Sequence, residues 1–138
     1  MALSDLVRYG LRYGLYYLAL WALIVLGELL LPGLKNSSAN ILTMAASALG
    51  TFHFFVKSEM RLPTSSEYWS LVGVSVLVSL IIEVAIAFGI LTWFIEPLPD
   101  TSFWIIVFGL GAVFNSIVAM TCYSKFFGRK VLKRVQKA

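Results

Sequence analysis

Apolar residues in this chain fall into four long runs separated by short polar breaks. The first extends from about Tyr9 to Leu31 and stops at Pro32-Gly33, a pair that ends helices. The second covers about 40–56, the third about 68–95 and the fourth about 102–127. About 20 apolar residues cross the roughly 30 Å hydrocarbon core of a bilayer, so the runs have the length of membrane spans. The pattern predicts an all-α integral membrane four-helix bundle, one domain over 1–127, with a basic amphipathic tail at 128–138. The second run is the shortest and is diluted by Asn40, Thr43, Ser47 and Thr51; a re-entrant segment is its competing reading. Glu96-Pro97-Leu98-Pro99-Asp100 after the third run reads as a rigid turn.

The placement of the basic residues orients the bundle. Arg8 and Arg12, then Lys57 and Arg61, then Lys125, Arg129, Lys130, Lys133, Arg134 and Lys137 all fall on one side, and Lys35 alone on the other. Lys and Arg are retained in the cytoplasm, so both termini are expected there. The first run is too long for a signal-peptide core and lacks a following small-residue cleavage site, so it is expected to stay as a helix. Asn36-Ser37-Ser38 has the form of a glycosylation sequon but is read as chance.

Polar residues inside the spans are the informative exceptions. Glu83 sits in the run from Trp69 to Phe94, where a charge costs about 2.5–3.5 kcal/mol on insertion scales. Ser75, Ser79, Glu83 and Ala87 recur every four residues and so share one helical face, with Ser79 placed to donate to Glu83. Asn115 lies at the same depth on the fourth span, and a short connection makes the two spans neighbours, so a Glu83–Asn115 hydrogen bond is expected. Gly111, Asn115 and Ala119, with Ala112 and Ser116 beside them, form a small, polar stripe. Ala46, Gly50, Ser47 and Thr51 do the same on the second span. Such stripes let membrane helices approach closely, and the three are read as facing one another. Glu83 is then either a packing hydrogen-bond group or a proton or cation site, and both readings stay open.

Other polar and aromatic positions read more simply. Glu28, three residues before Leu31, is expected at the interface, and the lone His53 among Phe52, Phe54 and Phe55 is a poor metal ligand. Tyr9, Tyr13, Tyr16 and Tyr17 crowd the inner half of the first span around Gly10 and Gly14, as anchors and packing groups, with a cation–π site for an aromatic or cationic ligand as the competing reading. Trp69, Trp93 and Trp104 suit an aromatic belt. In the loop before the third span, Thr64 and Glu67 have capping-box spacing after Pro63, with an exposed Glu59–Arg61 pair nearby. On the tail, Phe127, Val131 and Val135 oppose Lys130, Lys133, Arg134 and Lys137, a pattern suited to anionic headgroups at about 1 kcal/mol per basic residue.

Composition agrees with this class. The chain of 138 residues is 59% hydrophobic and 13% charged, against about 45–50% and about 25% in soluble domains. The single Cys122 excludes an intrachain disulfide framework and a cysteine-based zinc site. The net charge of +4 flanks apolar segments rather than forming a nucleic-acid stripe, so no nucleic acid is expected.

Met44-Ala45-Ala46, Gly50, Phe54, Arg61-Leu62-Pro63 with Glu67, and later Tyr123 and Phe126-Phe127-Gly128 carry a family likeness. On these residues the chain resembles an uncharacterised family of small bacterial four-span inner-membrane proteins. The resemblance implies architecture and a bacterial inner membrane rather than a reaction, and it points to Arg61, Pro63 and Glu67 as positions to test.

Neither a Ser/His/Asp set, paired carboxylates at one depth nor a metal constellation stands in the sequence, so no enzyme and no cofactor are expected. The leading expectation is a non-catalytic inner-membrane binding protein, an immunity protein against a membrane-acting toxin or an accessory subunit. Its partners are then the anionic bilayer and another membrane protein or toxin, with self-association open. The alternative is a small proton-coupled multidrug-type transporter using Glu83. Small multidrug exporters carry their membrane Glu mid-way along the first helix, whereas here Glu28 is near its outer edge and Glu83 is on the third.

Overall fold

The computed structural model describes residues 1–30, 39–94 and 100–136, with the backbone alone at 90–94. Pro32-Gly33, Lys35, the 36–38 sequon, the 95–99 turn, Lys137 and the side chain of Trp93 lie outside the described residues.

The described residues form helices α1 (Leu3–Leu30), α2 (Ala39–Glu59), α3 (Ser65–Phe94), α4 (Thr101–Cys122) and α5 (Lys125–Val135). Four of them are long and apolar enough to cross a membrane, which makes this a multi-pass integral membrane bundle. α1 packs on α2 and α3, α4 packs on α2 and α3, and α5 packs on α2. The long helices therefore form a square in which α1 faces α4 and α2 faces α3 across the diagonals.

The second span is one continuous helix of 21 residues, about 31 Å long at 1.5 Å per residue, rather than a re-entrant pair. Its polar residues need no water. Thr43, Ser47 and Thr51 donate to the carbonyls of Ala39, Thr43 and Ser47 at 2.9, 2.6 and 2.9 Å, the back-bonding open to Ser and Thr in a helix. This explains how the least apolar span is the most enclosed one. Ala46 departs from expectation: it is exposed, and Gly50 instead lies beneath the Tyr16 ring of α1, where an added Cβ would come within 3.1 Å.

The core occupies the half of the bundle nearest the chain ends. Tyr9, Tyr13 and Tyr17 point inward against Phe52, Phe55 and Val56 of α2 and Leu71 and Val72 of α3, so these tyrosines are core groups and not interfacial anchors. Gly10 and Gly14 lie against Val74 and Val78, each leaving only 3.2 Å to an added Cβ, which sets the close α1–α3 approach. Large apolar side chains such as Leu15, Leu23, Ile81, Ile105, Leu110 and Val113 remain exposed and face the hydrocarbon.

Caps define the ends. α4 starts at Asp100, whose carboxylate accepts from Thr101 N at 2.8 Å, and α2 closes through Met60, a non-glycine residue at φ 53°. The fourth apolar run does not continue as helix to 127. α4 stops at Cys122, and Ser124, extended at φ −62° and ψ 150°, starts a separate α5. Tyr123, the residue that caps α4, is buried at this break and its hydroxyl lies 2.6 Å from that of Ser75. The redirected helix seats Gly128 where a Cβ would fall 2.7 Å from Leu62 and 2.9 Å from Phe52.

Candidate functional site

Glu83 is half-buried beyond the tyrosine core. Its Oε1 accepts from Tyr17 Oη at 3.2 Å and from Asn115 Nδ2 at 3.1 Å. Tyr17 Oη also lies 2.9 Å from Asn40 Oδ1. A hydroxyl carries one proton, so Tyr17 serves Glu83 or Asn40 but not both at once. Asn115 Nδ2 spends its second proton on Ser79 Oγ at 2.9 Å, and Asn115 Oδ1 is buried with no partner. The other carboxylate oxygen, Glu83 Oε2, faces Gly111, 3.5 Å from where a Cβ would stand.

The Glu83–Asn115 bond expected from depth and neighbourhood is present. Ser79 does not donate to Glu83; its proton goes to Val76 O at 3.0 Å, because the helix offers a carbonyl within the same turn. Ser75 belongs to a different pair, with Tyr123, and Tyr13 lies beside Ser79. Tyr17 and Asn40 complete the site and were not singled out for it by sequence. Their signal is weak: Tyr17 looks like one more interfacial tyrosine, and Asn40 like a diluting polar residue.

The first turn of α2 stands at the level of Glu83, while α1 and α3 run on past it. Among the described residues, two cavities beside this turn share Asn40 and Glu83. One, of about 350 Å³, is lined by Tyr17, Trp21, Glu28, Asn40 and Glu83 with aliphatic neighbours. The other, of about 440 Å³, lies between α2, α3 and α4 and is lined by Asn40, Met44, Glu83, Gly111 and Asn115 beside lipid-facing Leu110, Val113, Phe114 and Ile117. Among the described residues neither lining contains a Lys, Arg or His. Glu28 is exposed, as is His53. Among the described residues no His/Cys/Asp/Glu group is arranged to hold a metal ion.

The polar loop between α2 and α3 is a buckle. Arg61 grips Glu67 with two bonds of 2.7 Å each, and Glu67 Oε2 accepts from Thr64 N at 2.9 Å, closing the capping box. These bonds hold the Arg61 guanidinium above its ordinary range. Glu59 lies 3.6 Å from Arg61. Pro63 lines a cavity of about 180 Å³ with Thr64, Ser65, Tyr68, Tyr123 and Lys125. On α5, Lys130, Lys133 and Arg134 are exposed, opposite the half-buried Phe127, Val131 and Val135, and Lys130 Nζ stacks 4.4 Å above the Phe126 ring.

No protein-family model, curated protein or solved structure matches this chain.

Proposed function

We propose that this protein is a non-catalytic binding protein of a bacterial inner membrane whose ligand is a lipophilic cation held at Glu83. The observation that supports the reading is the state of that carboxylate. It stands deep in a span, its Oε2 accepts nothing from the described residues, and it opens on cavities that no basic side chain lines among the described residues. Among the described residues the ion pairs are those of Arg61 with Glu59 and Glu67, far from Glu83 in the fold. A charge at such depth requires a counter-charge or a proton. One carboxylate holds a proton or a cation, so exchange between them is the means of release in the transporter form of this reading.

Trp21 and Tyr17 line the smaller cavity, and aromatic faces stabilise cations by about 0.5–2 kcal/mol. The same reading takes the ends of the chain as cytoplasmic, on the strength of the flanking basic residues. Recognition of a toxin or a partner subunit takes second place, since a bilayer covers the apolar outer faces of α1 and α4 as well as a protein does.

The test uses the full chain in lipid nanodiscs, titrated with lipophilic cations and their neutral isosteres. Cations are expected to bind saturably and isosteres not, with Glu83→Gln losing the binding while keeping its melting temperature. Equal binding by Glu83→Gln, or by the neutral isosteres, would overturn the reading.

A further inference from the structure

Acceptor atoms at the larger cavity are left without donors by the groups around them. Glu83 offers two oxygens, Asn40 and Asn115 one each. Against these stand one Tyr17 proton, contested by Glu83 and Asn40, and one Asn115 N–H directed at Glu83. Asn40 Nδ2, the remaining donor on this wall, bonds neither Glu83 nor Asn115. Asn115 is 3% exposed, and its Oδ1 is a buried acceptor without a donor, an unfavourable state for a polar group removed from water. We infer that this cavity takes a lipophilic amine bearing N–H donors, a primary ammonium or a guanidinium on an apolar tail. The inference rests on the reading of Glu83 as a cation site and narrows its ligand.

Charge alone does not meet the deficit. A quaternary ammonium neutralises Glu83 but leaves Asn115 Oδ1 and Glu83 Oε2 without donors. A primary ammonium brings three N–H groups and a guanidinium five, enough to reach Glu83 Oε2 and a slightly turned Asn115 amide together. The apolar tail follows from the outer wall. Leu110, Val113, Phe114 and Ile117 are 67%, 60%, 44% and 55% exposed, so the cavity opens sideways into hydrocarbon. Gly111 is the aperture, since its missing side chain leaves Glu83 Oε2 accessible.

α3 continues from Glu83 to Phe94, about 16 Å of helix at 1.5 Å per residue. A lipid amine headgroup would have to bring its phosphate to that depth, whereas a free amphiphilic amine brings only its head. The ammonium chemistry is common to both sources.

The experiment compares decylammonium with decyltrimethylammonium, equal in tail and charge, by calorimetry on the full chain in phosphatidylcholine–phosphatidylglycerol nanodiscs, with empty discs subtracted. Decylammonium is expected to bind at least about tenfold tighter, because a site with unmet polar groups rejects an analogue lacking the matching donors. Gly111→Ala places its Cβ in ordinary contact with Glu83 Oε2, 3.5 Å away, so it should fold normally yet weaken decylammonium several-fold and shrink the preference. Equal, Glu83-dependent binding of the two probes overturns the donor requirement and leaves the cation site standing. Binding of neither above empty discs, as when water fills the cavity, overturns both. Replacing phosphatidylcholine with phosphatidylethanolamine separates the sources: an affinity that falls assigns the cavity to a resident headgroup, an unchanged one to a free amphiphile.

Discussion

Asn115 on α4 donates to Glu83 on α3 at 3.1 Å while its own carbonyl oxygen has no donor. The pair joins two adjacent spans and leaves a buried acceptor of the site unmet. Interhelical hydrogen bonds in membranes average about 0.6 kcal/mol and reach about 1.7 kcal/mol. A double-mutant cycle of Asn115→Leu and Glu83→Leu, followed by unfolding in bicelles, should therefore give a coupling of about 1 kcal/mol. Asn115→Leu alone should cost more than the coupling, since it also removes the bond to Ser79, an effect partly offset by loss of the unpartnered oxygen. Strictly additive effects would show that the bond contributes nothing.

How much of this site was legible beforehand depended on which relation each residue needed. Glu83, Ser79 and Ser75 share a face by helical period alone, and Asn115 follows from antiparallel neighbours joined by a short connection. Tyr17 and Asn40 require the order of helices around the bundle and the offset of α2, which no local period encodes. Apolar patterning likewise runs unbroken through Tyr123, so it could not reveal that this tyrosine leaves the α4 line to bond Ser75. The back-bonding of Thr43, Ser47 and Thr51 was also hidden, and for that reason α2 looked weaker as a span than it is.

The orientation drawn from Lys and Arg makes its own prediction. Cys122 is buried, and its thiol faces Ala45 O at 3.7 Å, so Cys122→Ser retains a donor and provides a background free of cysteine. On it, Asp100→Cys and Ser58→Cys place single thiols at exposed positions at opposite ends of the bundle. A membrane-impermeant maleimide added to intact spheroplasts should label the first and spare the second. The reverse pattern would invert the bundle and put α5 outside.

Gly128 carries the docking of α5, and the space around it sets the expected effect of filling it. An added Cβ would meet Leu62 at 2.7 Å and Phe52 at 2.9 Å. Phe52 is fully buried and pressed against the Tyr123 ring at 5.5 Å between centroids, so it has little room to give. Overpacking of this kind typically costs about 1–3 kcal/mol, and α5 escapes it by lifting away from α2. Gly128→Val is therefore expected to release α5 while α1–α4 stay folded. The readout is limited trypsin digestion in nanodiscs, in which cleavage at Arg129, Lys130, Lys133 and Arg134 should accelerate several-fold over the parent chain. Anionic lipid should slow that cleavage in both chains, because the exposed basic face still meets the headgroups by about 1 kcal/mol per charge. If Gly128→Val is cut no faster than the parent, α5 is held by its lipid contacts and not by its seat on Phe52 and Leu62.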